Sequence, residues 1–170
     1  MRNKLTILSG LPASGKSTYV AKRRNNGDKF ILICFDEIHK MLFGGYSFED
    51  FGIVASVAET IFDEAKQCDH SIIIDNTNLR NFYIRRWEEK VRDFDYEVEV
   101  IPFKISIKEC LLRNMKRDRG SMNVPQHVIL KMANSSDMDW LKKMWEIERE
   151  DIMNNYELYG LTVSDIVRYK

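Results

Sequence analysis

Short runs of apolar residues alternate along the chain with longer segments in which apolar residues recur every three or four positions. The short runs lie at residues 5–8, 30–34, 72–74 and 98–103, and each predicts a β-strand. The second and third runs are uniformly apolar, which is typical of strands that are covered on both faces of a sheet. The longer segments predict helices over residues 16–24, 37–42, 51–65, 81–94, 106–113, from 125 onward, and 137–159.

Local signals mark several helix ends. Ser47 with Asp50, and Ser106 with Glu109, have the spacing of a capping box, in which a side-chain oxygen accepts a hydrogen bond from the backbone at a helix start. Pro125 suits a first helical turn, and Gly160 is a plausible stop for the last long helix. The final apolar stretch, residues 161–167, predicts a last strand.

Strands that alternate with helices predict an α/β fold. We expect a parallel sheet of four or five strands, joined by right-handed crossovers and flanked by helices on both faces. In such sheets, ligands bind beyond the carboxyl ends of the strands, so residues that carry chemistry are expected there.

Composition narrows the class of protein. The chain has 170 residues, of which 44% are apolar, so residues 1–170 are expected to form a single domain. Lys plus Arg and Asp plus Glu are 26 each, and this balance argues against a large basic face for long duplex DNA. The three cysteines lack metal-ligand or paired spacing, and the longest apolar run is too short to span a membrane, so a reduced, cytoplasmic location is expected.

A phosphate-binding motif follows the first predicted strand. The segment GLPASGKS fits the pattern GxxxxGK[ST], and a predicted helix follows it, which is the context that the motif requires. Glycines allow backbone N–H groups to point at nucleotide phosphates, and the helix dipole adds to the attraction. Lys16 is expected to reach the β and γ phosphates, and the Ser17 hydroxyl is expected to coordinate Mg²⁺. The candidate nucleotide-binding residues are Gly10, Pro12, Ala13, Ser14, Gly15, Lys16 and Ser17.

Two acidic residues follow neighbouring predicted strands. Asp36 comes just after the second strand, where a carboxylate can take the proton of an attacking hydroxyl; its alternative role is to cap the short helix that follows. Asp75 ends the third strand, where its carboxylate can orient the water molecules bound to a magnesium ion. The alternative for Asp75 and the polar residues after it is a loop held by Asx-type hydrogen bonds.

A cluster of cations lies in the run RNMKRDRG. Arg113 and Arg117 are four residues apart, hence on one face if the segment is helical, and could converge on phosphate oxygens. Such a cluster, over residues 113–123, resembles a mobile lid that closes over a nucleotide and neutralises charge on the transferred phosphoryl group. A solvated basic turn is the alternative.

Taken together, GLPASGKST, FDEIH, IIIDNTNL and RNMKRDRGSMNVP resemble the kinase domain of the polynucleotide 5′-hydroxyl kinases. The similarity runs over residues 5–132. It implies a P-loop kinase fold that uses ATP or another NTP with Mg²⁺ to phosphorylate the 5′-hydroxyl end of RNA or DNA. Many members of that family are fused to a phosphatase or ligase domain, whereas only one or two predicted helices and a short tail follow Met132 here. A stand-alone kinase is therefore expected, with a separate protein that repairs 3′ ends or ligates strands as a possible partner.

The resemblance assigns roles to individual residues. It implies that Lys16, Ser17 and Thr18 hold the phosphates and the metal, that Asp36 is the general base, and that Arg113 and Arg117 clamp the donor phosphates. Family members often carry an acceptor-binding Arg three residues after the catalytic Asp, and this chain has His39 there. Asn76 stands where some members have an acid. The expected acceptor side consists of Asp36, His39, Asn76 and Asn78.

Two other functions remain open at the level of sequence. The same chemistry could act on a small acceptor such as a nucleoside, a sugar or an antibiotic, which zero net charge fits equally well. Alternatively, the chain could be a nucleotide-gated binding module whose long C-terminal helix, residues 137–159, engages a protein. The second alternative leaves Asp36 and the lid cations without an acceptor to serve.

Overall fold

The structure is a computed structural model that describes residues 2–45, 50–118, 120 and 123–169. Its four strands are β1 (Asn3–Ser9), β2 (Ile31–Ile33), β3 (Ile72–Ile74) and β4 (Tyr96–Pro102). Its α-helices are α1 (Lys16–Asn25), α2 (Phe35–Phe43), α3 (Phe51–Gln67), α4 (Asn81–Lys90), α5 (Ile107–Met115), α6 (Gln126–Ser135), α7 (Asp139–Asn154) and α8 (Val163–Ile166).

The strands form one parallel sheet in the order β2-β3-β1-β4. β1 pairs with β3 on one side and with β4 on the other, so that Leu5 lies between Ile72 and Val98. β1 and β3 are the inner strands, and their apolar side chains are almost completely buried. The predicted α/β fold with a parallel sheet is therefore confirmed.

Both faces of the sheet are covered. Successive side chains of a strand point to opposite faces. Ile72 and Ile74 belong to the large core that α2 to α8 build, whereas Ile73 packs with Leu8 and with Val20 of α1 in a smaller cluster. This arrangement leaves the carboxyl ends of β1, β2 and β3 side by side at one edge. None of the helices in the described part of the chain combines the length and hydrophobicity that a membrane span requires.

The expected fifth strand is wrong. In place of a strand over 161–167, the chain forms α8 and then a 3₁₀ turn, Val167–Tyr169. Thr162 and Asp165 form a capping box, with Asp165 Oδ2 accepting from the Thr162 backbone N–H at 2.9 Å. Ile166 is buried in the core, because one turn of helix brings it there. Local capping thus prevails over the apolar run that suggested a strand.

Other predicted boundaries shift by a few residues. The long C-terminal helix is α7, which ends at Asn154, and a 3₁₀ segment, Tyr156–Tyr159, continues to the predicted stop at Gly160. α4 ends at Lys90, four residues earlier than expected. Ser106 caps α5 as predicted, its hydroxyl accepting from the Glu109 N–H at 3.4 Å. Ser47 lies outside the described residues.

Candidate active site

The phosphate loop connects β1 to α1. Gly15 precedes the helix with φ of 100° and Ala13 has φ of 63°, so two loop positions adopt the left-handed conformation. Gly10 lies so close to its surroundings that a Cβ there would stand 2.7 Å from Ser14 Oγ and 2.9 Å from Phe103 Cβ. A glycine-dependent turn at the amino end of a helix is the geometry of an anion nest, in which backbone N–H groups point at a bound anion.

Lys16 lies across the mouth of this loop. Its Nζ donates to the carbonyl oxygens of Gly10 and Leu11, both at 2.8 Å, and to Ser14 Oγ at 3.4 Å. Burial lowers the pKa of Lys16 to about 8, while the nearby charges of Asp75 and Asp36 act in the opposite direction. Lys16 is therefore a buried, mostly protonated ammonium at neutral pH, and it lies within electrostatic reach of both carboxylates.

Ser17 and Asp75 meet at the carboxyl end of β3. The Ser17 hydroxyl donates to Asp75 Oδ2 at 2.9 Å, and the Asp75 backbone N–H donates to the Ile33 carbonyl at 2.8 Å. Among the described residues there is no cluster of three or more His, Cys, Asp and Glu side chains that could enclose a metal ion. A hydroxyl and a carboxylate nevertheless fit Mg²⁺, which prefers oxygen ligands and takes the rest of its shell from water and nucleotide phosphates.

Asp36 lies in the first turn of α2. The start of this helix is fixed by Asn76, whose Oδ1 accepts from the Phe35 backbone N–H at 3.0 Å, so that the loop after β3 supports the residue next to Asp36. The Asp36 carboxylate is half-buried and lines the same cleft as the phosphate loop. The structure thus places a carboxylate, a phosphate cradle and a metal-compatible pair at one edge of the sheet.

The lid cations lie on the other side of the cleft. Arg113, on α5, forms an ion pair with Glu109 in which Arg113 Nε lies 2.7 Å from Glu109 Oε1. α5 ends at Met115, so Arg117 lies beyond the helix and does not share a helical face with Arg113 as expected. Both arginines still line the cleft, and the charge of Arg117 lowers the pKa of Lys16. Arg119 and residues 121–122 of the predicted lid lie outside the described residues.

One expected acceptor contact, His39, lies away from the cleft. His39 is completely buried and does not line the cleft. It is one of the two buried residues of α2, a helix that packs against α3, and the ring centroid of Phe43 is 6.3 Å from that of His39. The expectation that His39 meets the acceptor is therefore corrected to a packing role.

Asn78 also serves the scaffold. It is 4% exposed, has φ of 43°, and its Nδ2 donates to the Leu8 carbonyl at 2.8 Å. Ser9 Oγ donates to the Asn78 carbonyl at 3.0 Å, and the Gly10 N–H donates to the Thr77 carbonyl at 2.9 Å. These bonds tie the loop after β3 to the end of β1. Asn78 also lines the cleft, so its place on the expected acceptor side stays a prediction beside this structural role.

The cleft is larger than the sequence indicated. Its volume is about 1550 Å³, and beyond the phosphate loop, Asp36 and Asp75 it extends between α3 and α4. The side chains there that sequence reasoning missed are Phe51, Ala55, Glu59, Tyr83 and Arg86. Helical spacing predicts that Phe51 and Ala55 share a face of the helix over 51–65 but does not show that this face borders the cleft, where Phe51 is 46% exposed.

Cys34 and Cys110 flank the site as inert thiols. Burial raises the pKa of Cys34 to about 12 and that of Cys110 to about 11, whereas Cys68 is exposed. Since the thiolate is the reactive form, about one part in a thousand or less of either buried thiol is reactive at pH 8.

We expect an aromatic disulfide reagent at pH 8 to modify one thiol per chain rapidly and the other two only after unfolding. Cys68→Ser should abolish the fast phase; a fast phase that survives contradicts this assignment.

Gly10→Ala should disable the phosphate loop. The added methyl meets Ser14 Oγ and the backbone-proximal Cβ of Phe103, so the loop must shift. We expect nucleotide affinity, measured by calorimetry, to fall at least about tenfold, the effect of misplacing one or more of the aligned N–H donors. Gly52→Ala is the matched control, because it lies on α3 with nothing within 4 Å and should be neutral or stabilising. Unchanged affinity in Gly10→Ala contradicts the loop geometry.

A cradle of this kind beside a hydroxyl–carboxylate pair defines a P-loop nucleotide-binding fold. The chain belongs to the AAA_33 family, described as an AAA domain, whose model matches residues 5–137. The resemblance seen in the sequence is thereby confirmed as that of a P-loop kinase domain.

Relatives of known structure or activity are similar over most of this chain. An L-seryl-tRNA(Sec) kinase of Methanococcus maripaludis is 28% identical over 148 residues, or 84% of this chain and 56% of the relative. A chain in the structure of the Pnkp1/Rnl/Hen1 RNA repair complex matches with TM-score 0.66 and 23% identity, over 86% of this chain and 46% of that one. The APS kinase CysC of Mycobacterium tuberculosis matches with TM-score 0.51 and 14% identity, over 91% of this chain and 99% of that one. This chain spans about half the length of the first two.

Proposed function

We propose that this protein transfers the γ-phosphoryl group of ATP, or of another NTP, to the 5′-hydroxyl end of RNA or DNA. The observation that carries the proposal is the single cleft that Asp36 shares with Lys16 and with the Ser17–Asp75 pair. A carboxylate in that position has a hydroxyl acceptor as its natural partner, because the phosphate loop alone suffices to bind a nucleotide.

The residues divide the reaction between them. The loop N–H groups and Lys16 Nζ hold the β and γ phosphates, with Nζ exchanging its present carbonyl partners for phosphate oxygens. Ser17 and Asp75 would hold Mg²⁺, directly or through its water shell, and the ion would supply charge neutralisation on the nucleotide phosphates. Asp36 accepts the proton of the acceptor hydroxyl as its oxygen bonds to the γ phosphorus. The bond from that phosphorus to the bridging oxygen breaks, ADP leaves, and Asp36 then releases its proton to water.

Further observations support RNA or DNA as the acceptor. The curated relative is named as a kinase of an RNA-borne seryl group, and the RNA repair complex contains a chain with this fold. Zero net charge is compatible with an end-acting enzyme, which contacts only one or two phosphates. The same proposal includes a separate partner protein that repairs 3′ ends or ligates the strands.

An acceptor panel with labelled ATP tests the proposal. The panel contains RNA and DNA oligonucleotides with 5′-hydroxyl ends, the same strands with 5′-deoxy ends, nucleosides, simple sugars and seryl-tRNA. We expect label on the 5′-hydroxyl strands and none on the 5′-deoxy strands. Label confined to the nucleosides and sugars, or to the seryl group of seryl-tRNA, contradicts the proposal that the acceptor is a polynucleotide 5′ end. ATP turnover without any labelled acceptor, unaffected by Asp36→Ala, identifies a nucleotide-gated binding module instead.

Arg117→Ala should reduce transfer strongly. Arg117 lies at the cleft close enough to Lys16 to lower its pKa, and a guanidinium there can neutralise charge that develops on the transferred group. We expect kcat to fall about a hundredfold, with a smaller change in the KM for ATP. Arg113→Ala should reduce kcat less than Arg117→Ala does, because Arg113 is already ion-paired with Glu109. Arg119→Ala should reduce kcat least of the three. A larger loss for Arg119→Ala than for Arg117→Ala contradicts this assignment of the lid.

A further inference from the structure

The cleft continues beyond Asp36 as a groove between α3 and α4. One wall is the stripe formed by Phe51, Ala55 and Glu59, which are four residues apart and therefore share a face of α3. The other wall carries Tyr83 and Arg86 of α4. An ion pair between Arg86 and Glu59 joins the two helices, so these faces are opposed across the groove.

The end of the groove near Asp36 is aromatic. Phe35, the residue before Asp36, packs against Phe51 with ring centroids 5.5 Å apart. Phe51 remains 46% exposed and Tyr83 remains 48% exposed, although both line the cleft. Large aromatic side chains that face a cleft and keep half of their surface uncovered offer π-faces on which a planar base can stack.

The far end of the groove is charged and closed. Glu59 pairs with Arg86 and also with Lys90, whose Nζ lies 3.8 Å from Glu59 Oε2. From Phe51 to Glu59 the helix rises about 12 Å, at 1.5 Å per residue. The groove is thus long enough for one terminal nucleoside and the phosphate that follows it, and the Arg86 guanidinium lies beside Glu59 at its far end.

We infer that this groove binds the terminal nucleotide of the acceptor strand, an inference that rests on the proposed function. The terminal base stacks against Phe51 and Tyr83, which positions the 5′-hydroxyl at Asp36. Arg86 contacts the phosphate on the 3′ side of that nucleotide, and Glu59 competes with the phosphate for the same guanidinium. The two members of the ion pair therefore affect acceptor binding with opposite signs.

Two charge-removing variants test the phosphate contact. Arg86→Gln should raise the KM for a 5′-hydroxyl oligonucleotide about tenfold with little change in kcat, since it removes one charge-assisted hydrogen bond to a phosphate. Glu59→Gln should lower that KM about threefold, because Arg86 and Lys90 lose their competitor. A nucleoside acceptor without phosphate should respond to neither variant. Arg85→Gln, an exposed neighbour on α4, is the matched control.

Tyr83 tests the stacking contact. Tyr83→Leu should raise the KM for the same oligonucleotide about tenfold, whereas Tyr83→Phe, which keeps the ring, should leave it unchanged. An oligonucleotide with an abasic first nucleotide should have a high KM that Tyr83→Leu does not raise further. Equal losses for the normal and abasic strands indicate a structural effect on α4 and overturn the stacking role.

The outcomes separate this inference from the proposed function. If the unmodified protein phosphorylates 5′-hydroxyl strands but Arg86→Gln and Glu59→Gln shift the KM in the same direction or not at all, the groove inference fails and the proposed function stands. If the unmodified protein phosphorylates no polynucleotide, both fail. All variants should have melting temperatures within a few degrees of that of the parent protein, which shows that the groove is intact. Tyr83→Phe is the folded variant of α4 with which Tyr83→Leu is compared.

Discussion

Asp36→Asn should lower the rate of phosphoryl transfer by about a hundredfold to ten thousandfold, the range expected when a general base is removed. The asparagine keeps the size of the side chain and its place in the first turn of α2, so the cleft should not change shape. Nucleotide binding, measured by calorimetry, should stay within about threefold, because the phosphate loop and Lys16 are untouched.

Glu37→Gln is the control for this variant. Glu37 is adjacent to Asp36 in the same helical turn and also borders the cleft, but it is more exposed than Asp36. We expect its transfer rate to change by less than about threefold. A strong loss for Glu37→Gln together with an active Asp36→Asn would assign the base to position 37 and contradict the account of the site.

Lys16→Met should reduce transfer by about a thousandfold, the upper range for removing one donor that stabilises developing charge. It should also weaken ATP binding, since Lys16 contacts the phosphates in the ground state as well. Lys22→Met, an exposed lysine of the same helix, should retain full activity.

The stability of Lys16→Met separates this loss from misfolding. Burial lowers the pKa of Lys16 from 10.5 to about 8, which means that the folded protein holds the ammonium proton less tightly than the unfolded chain does. Keeping the charge at pH 7 therefore costs folding free energy, and Lys16→Met removes this cost together with the hydrogen bonds to the Gly10 and Leu11 carbonyls. Because the two effects oppose each other, the melting temperature of Lys16→Met should stay within a few degrees of that of the parent protein. A large drop in melting temperature would show that the lost activity comes from misfolding and would contradict this assignment.

The part of the site that the sequence reveals is the part encoded locally. The phosphate loop is a contiguous motif between a strand and a helix. Asp36 and Asp75 each follow an apolar run, and parallel strands bring such positions to one edge of the sheet. Ser17 and Asp75 are 58 residues apart, yet this rule of topology predicts that they meet, and their hydrogen bond is 2.9 Å long.

What the sequence did not reveal depends on packing between distant helices. Whether His39 faces the cleft or the core is decided by the side of α2 that packs on α3, and one histidine carries no signal for that choice. The groove between α3 and α4 is lined by residues far apart in the sequence, such as Glu59 and Arg86, which are 27 residues apart and form an ion pair. The tail adopts a helix because the capping box at Thr162 and Asp165 outweighs a short apolar run that also suits a strand.

The central claim is that a nucleotide and a polynucleotide 5′ end meet in one cleft at Asp36. An oligonucleotide whose 5′ oxygen is joined through a polyphosphate bridge to adenosine tests this claim, because it fills both subsites at once. It should inhibit competitively against ATP and against the 5′-hydroxyl strand, and bind about a hundredfold more tightly than the unlinked oligonucleotide. Inhibition that is competitive against ATP alone, with no gain over adenosine polyphosphate lacking the strand, would contradict the account.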